Sequence, residues 1–127
     1  MKPVDQTTFG VPGGNCFSAC VASLLEFPVE AVPYFMGAED WVAEFSRWLL
    51  PRGMYVFRFR IEGAEDTWRP PGFYILSGQS PRGSHSVVAL GPDVVHDPHP
   101  SRAGLLTQED LMVLVPIDIA RLRGAGG

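Results

Sequence analysis

The chain has 127 residues, a formal net charge of −4, 46% hydrophobic and 19% charged residues, a composition that belongs to folded globular proteins and excludes a disordered chain. Its length allows one domain (1–127) with a real core and excludes two. Nucleic-acid binding asks for a basic face, and no run of Lys or Arg supplies one: Arg58 with Arg60 reads as the exposed face of a strand, Arg121 with Arg123 as part of a tail.

Met1 to Gly14 carries a single Lys and no apolar core, unlike a secretory signal, and no apolar run approaches the ~20 residues that cross a bilayer. The expectation is a cytoplasmic chain without membrane contact, whose two cysteines are reduced. With 14 Gly and 12 Pro, much of the chain is expected in turns and loops, where catalytic residues concentrate.

In chain order, Met1 to Gly14 is expected to be irregular, because Pro3, Gly10, Pro12, Gly13 and Gly14 oppose a helix. Asn15 stands where an N-cap is wanted, and Cys16 to Glu26 reads as a buried helix with Phe17, Cys20, Val21, Leu24 and Leu25 at helical spacing. A short helical turn is expected from Pro28 to Val32. Asp40 to Leu50 reads as an amphipathic helix, with Trp41, Phe45, Trp48 and Leu49 on one face and Glu44 and Arg47 on the other, stopped by Pro51-Arg52-Gly53.

The periodicity then changes to two. Met54–Ile61, Phe73–Ser77, Ser84–Leu90 and Val94–Asp97 read as strands, the last two joined in a hairpin by Gly91-Pro92-Asp93. Thr107 with Glu109 and Asp110 suggests one helical turn, Met112–Ile117 a final strand, and 118–127 a flexible tail. Helices first and antiparallel strands after define an α+β domain.

Cys16 follows a Gly13-Gly14-Asn15 turn and opens a helix. The first N–H groups of a helix lack partners and carry partial positive charge, so a thiolate there is stabilised and available as a nucleophile. A small buried cysteine is the competing reading, and the one that suits Cys20, one turn further along the inward face. His85 begins the apolar stretch Ser86 to Leu90, and Asp97 ends the next strand. If the two strands pair through the Gly91 turn, Asp97 faces His85 and holds its ring in one tautomer; a plain turn-forming Asp before Pro98 is the alternative. His96 and His99 raise a metal reading, but no Cys-x-x-Cys or His-Glu-x-x-His spacing supports it, and no cofactor is expected. Gln6 lies in the loop ten residues before Cys16, where its amide could donate to an oxyanion.

Gln6, Gly-Gly-Asn-Cys16, His85-Ser-Val-Val and Val-His-Asp97-Pro, in that order, resemble the papain-like cysteine peptidase pattern, closest to the bacteriocin-leader-processing peptidases. The chain also resembles short proteins often encoded by bacteriophages. Two features differ from the family: the gap from Gln6 to the cysteine is longer, and Cys16-Phe17-Ser18 stands where the family has Cys-Gly-Pro. The resemblance implies a helix carrying the cysteine packed on an antiparallel sheet carrying His and Asp, with Gln6 helping to form an oxyanion hole. It also implies a cysteine-dependent hydrolase that cleaves a peptide or other amide bond in a peptide or protein substrate. Deamidation or acyl transfer on a protein uses the same machinery, and an inactive papain-like binding module is the non-catalytic alternative.

Overall fold

In a computed structural model, residues 1–10 and 13–117 are described; the expected tail at 118–127, with Arg121 and Arg123, lies outside them. The architecture is α+β, with two α-helices and a five-stranded antiparallel sheet. Helix α1 spans Cys16–Leu25 and α2 spans Trp41–Leu49, followed by strands β1 (Met54–Arg60), β2 (Phe73–Ser80), β3 (Gly83–Leu90), β4 (Asp93–His96) and β5 (Asp110–Pro116). Two short 3-10 turns, Val29–Ala31 and Leu50–Arg52, follow the two α-helices. None of the described helices is long and apolar enough to cross a membrane.

Helix α1 is apolar nearly all round, so it is buried rather than amphipathic: Ala19, Cys20, Val21 and Ala22 are fully enclosed. Its two serines find partners inside. Ser18 Oγ donates to Pro33 O (2.8 Å) and Ser23 Oγ to Ala19 O (2.8 Å), while Ser23 Oγ also accepts from Val4 N (2.9 Å). The helix ends at Glu26, in the left-handed region at φ 59°, where its carboxylate meets the amine of Met1 at 3.1 Å. Helix α2 is capped by Asp40, whose carboxylate accepts from Ala43 N. Its buried Phe45 and Leu49 join Phe17, Phe35, Val56, Ile75, Val88 and Met112 in the main core between the helices and the sheet. Phe17, Phe35 and Trp48 ring Phe45 at centroid distances of 5.0, 5.2 and 6.4 Å. Each such buried side chain contributes about 1.5–3 kcal/mol relative to exposure.

The sheet order is β1-β5-β2-β3-β4. Strands β2, β3 and β4 form a meander through two hairpins, and β5 lies between β1 and β2, pairing Met54 with Pro116 on one side and Ser77 with Asp110 on the other. Along its other face Tyr74, Leu76, Val87, Ala89 and Leu111 form a second, smaller core.

The helical turn expected at 107–110 is absent. Glu109 N donates to Ser77 O (2.8 Å), Glu109 O accepts from Ile61 N (2.9 Å), and Thr107 Oγ1 accepts from Gln79 N (2.9 Å), so the segment is tied to its neighbours and leads directly into β5. Gly78 permits this approach, since a Cβ there would sit 2.0 Å from Thr107 O.

Asn15 occupies the N-cap position of α1 but makes no side-chain cap bond. Its Oδ1 instead accepts from Thr7 N (2.9 Å) and Thr8 N (3.0 Å), and its Nδ2 donates to Thr7 Oγ1 (2.9 Å). This fastens the irregular N-terminal segment to the helix start. Lys2 N donates to Ser23 O, and Gln6 N to Pro98 O, each at 3.0 Å, so the segment bridges α1 and the turn after β4.

Candidate active site

The same scaffold brings together the termini of three elements. Cys16 is the first residue of α1 and partly exposed, His85 lies near the start of β3, and Asp97 directly follows β4. Gly14 shapes the entry to α1: its N–H bonds Gly10 O at 3.0 Å, and a Cβ would lie 2.6 Å from that oxygen. As the first helical residue, Cys16 has a backbone N–H with no intrahelical acceptor.

His85 and Asp97 are both buried, and His85 Nε2 donates to Asp97 Oδ1 at 2.7 Å. The ring nitrogen left over, Nδ1, is the one available to Cys16, which lines the same cleft as His85. Burial pulls the His85 pKa down, but the neighbouring Cys16 and the hydrogen-bonded Asp97 more than reverse it and leave the imidazole above its ordinary value. Burial pushes Asp97 up, and hydrogen bonds from His85, His99 N and Gly104 N bring it below the usual carboxylate range.

Asp97 is better held than the hairpin argument alone requires. Its Oδ1 also accepts from His99 N (2.9 Å), an Asx turn, and its Oδ2 accepts from Gly104 N (2.7 Å). Arg102, at φ 53°, donates to Asp97 O and pairs with Asp5 at 2.6 and 2.9 Å. His99, Arg102 and Gly104 thus hold Asp97 in place, contacts not foreseen from the sequence. The signal was present in Asp97-Pro98-His99, an Asx-turn sequence followed by a Pro- and Gly-containing loop. His96 does not join this group; its Nε2 meets Val4 O at 2.9 Å and Asp5 Oδ1 at 3.4 Å. Cys20 is fully enclosed, and burial with the charges of Cys16 and Asp97 raises its pKa well above that of an ordinary thiol.

Gln6 lies beside Cys16 and His85 in the wall of the same cleft. Its Nε2 donates to Thr8 O (2.9 Å), which leaves one amide N–H uncommitted, and its Oε1 is buried without a partner. Leaving an acceptor buried and unpaired costs about 1–3 kcal/mol. No group of three His, Cys, Asp or Glu among the described residues is placed to hold a metal ion.

Trp41 lines the cleft, whereas Tyr74 sits in the second core with its hydroxyl on Gly91 O (2.7 Å). Trp68 and Phe73 are exposed and do not line the cleft. The cleft wall does contain a pair not anticipated from sequence. Arg58, with its guanidinium carbon 5.6 Å from the Trp41 ring centroid, places Nε and Nη2 on Asp110 Oδ2 at 2.7 and 2.6 Å.

Compared with protein families, with characterised proteins and with solved structures, the chain matches none.

Proposed function

We propose that this protein is a papain-like cysteine hydrolase acting on a peptide or other amide bond. The observation that carries the reading is the convergence on one cleft of Cys16 at a helix start and His85, whose Nε2 is held at 2.7 Å by a triply bonded Asp97. A nucleophile next to a base, with the base oriented by a third group, is the arrangement that nucleophilic acyl transfer requires.

In this reading Cys16 passes its proton to His85 Nδ1 and its sulfur adds to the substrate carbonyl. The oxyanion is held by the unbonded Cys16 N–H and the spare N–H of Gln6. His85 returns the proton to the leaving amine as the C–N bond breaks, forming a thioester. Water, losing its proton to His85, then adds to the thioester, and the sulfur leaves with that proton restored. An amine acceptor in place of water gives acyl transfer, and release of ammonia from a side-chain amide gives deamidation.

Alkylation with iodoacetamide near pH 7, read by mass spectrometry, tests the activation step. Cys16 is expected to label on the order of 10-fold faster than the enclosed Cys20, or more, and His85→Ala to slow Cys16 alone. Labelling of Cys16 that ignores the loss of His85 would sink the reading. Gln6→Ala is expected to lower turnover by about 10²–10³ through kcat, the usual loss for one oxyanion donor. An unchanged kcat would remove Gln6 from the site.

A further inference from the structure

We propose that the cleft sorts its ligand by charge on the two sides of Cys16, taking a cationic side chain on the Glu109 side and an anionic group on the Arg82 side. The inference rests on the reading of Cys16 as the reacting centre, and it names the substrate class: a chain with a basic residue on one side of the scissile bond and an acidic group on the other.

Two cavities meet at the thiol. They share Gly10, Gly14, Cys16, Ser84 and His85 and then diverge. One, of about 360 Å3, runs to Tyr34, Trp41, Arg58, Glu109 and Asp110. The other, of about 270 Å3, runs to Gln6, Phe9, Arg82 and His99. The sheet register separates the two charged ends. Asp110 of β5 pairs with Ser77 of β2, while Arg82 sits in the turn joining β2 to β3, beyond Ser84.

On the first side Arg58 is neutralised by Asp110, through a single carboxylate oxygen. Glu109 accepts only from the Thr107 hydroxyl (2.8 Å), and no cation among the described residues comes within 4.0 Å of it. One negative charge is left over, beside the aromatic walls of Tyr34 and Trp41. Such walls suit the methylene stem and the charged head of a lysine or arginine.

On the second side the polarity is reversed. Arg82 donates from its guanidinium only to Ser101 Oγ, at 3.3 Å, and no carboxylate among the described residues pairs with it. Its neighbour His99 is held below the ordinary imidazole pKa, by desolvation and by the Arg82 charge, so it adds no second charge at neutral pH. Asp97 is engaged by His85 and two backbone N–H groups. Arg82 thus brings an unpaired positive charge to the cavity that Cys16 lines.

The test is protection of Cys16 from iodoacetamide by four acetylated, amidated hexapeptides. They carry Lys before Glu, Glu before Lys, and the better of these two orders with either charged residue changed to Gln. One order is expected to protect at about fivefold lower concentration than the other, the ratio that a half-exposed ion pair supports. Glu109→Gln should abolish the advantage of Lys over Gln, and Arg82→Gln the advantage of Glu over Gln. Equal protection by both orders, protection by none, or discrimination that survives both substitutions overturns the proposal. A charge-ordered protection at a Cys16 no more reactive than a free thiol would sink the catalytic reading and leave this one standing.

Discussion

Cys16→Ala is expected to remove turnover by a factor on the order of 10⁴ or more, with the melting temperature nearly unchanged. The size follows from the role, since deleting a nucleophile leaves only what binding and the oxyanion donors contribute. The neutrality of the fold follows from position: the side chain is partly exposed at the first turn of α1, and the substitution removes one sulfur from a cleft wall. Cys20→Ala is the control with opposite behaviour, because that side chain is fully enclosed in the core. A fluorogenic peptide library supplies the turnover assay, and a vinyl sulfone probe reports labelling. If the Cys16→Ala protein reacts with the probe as fast as the parent, the nucleophile lies elsewhere.

The second large effect is expected at Asp97. Asp97→Asn should lower kcat by about 10⁴, the loss seen when an orienting carboxylate becomes an amide that holds the wrong tautomer. Here the argument can be made atom by atom. Oδ1 accepts from His85 Nε2 and His99 N, and Oδ2 accepts from Gly104 N. Whichever oxygen becomes the amide nitrogen, a donor then faces a donor. If it faces His85, the ring proton moves to Nδ1, opposite Cys16, and the base is lost. If it faces Gly104, a backbone N–H is left unpaired at a cost of about 1–3 kcal/mol.

The same pair sets a pH window for stability. His85 is raised in the fold, so its contribution is complete below the ordinary value of 6.5 and is lost as pH climbs through the folded value. Asp97 is lowered, so its contribution is complete above 3.8 and is lost as pH falls through its folded value. Both contributions are therefore complete between about pH 4 and 6.5. Melting temperatures across pH should show a plateau there that flattens relative to its flanks in Asp97→Asn. A parent and variant with parallel curves would mean that the pair does not couple to folding.

Both α-helices and the strands were legible from periodicity, because each buries a face whose spacing repeats locally. The hairpin between β3 and β4 was legible from its Gly-Pro-Asp turn, and with it the placing of Asp97 against His85. What escaped depends on partners far apart in sequence. Thr107-Gln108-Glu109-Asp110 has the residue types of a helix start, but Ser77 and Ile61 take the Glu109 backbone into the sheet. Arg58 looks like a solvated strand residue until β5, 52 positions later, brings Asp110 beside it. Asn15 was identifiable as a helix-start residue, yet its side chain serves the N-terminal segment, a use that no local pattern distinguishes from capping.

The place of β5 has a kinetic consequence. A strand late in the chain that pairs on both sides, with Met54 opposite Pro116 and Ile75 opposite Met112, makes the sheet dependent on contacts of long sequence separation. Closing such loops comes before any reward from the contacts they permit, which makes folding slower than the microsecond scale of helical bundles. During synthesis Cys16 leaves the ribosome long before His85 and Asp97, and the clamp on Asp97 waits for Gly104. The thiol is thus born without its base and acquires it only when the domain is nearly whole. Until β5 arrives, the backbone of β1 is unpaired beside Tyr55, Phe57 and Phe59, which stay exposed even in the finished fold, the stage at which the nascent chain is most prone to aggregate.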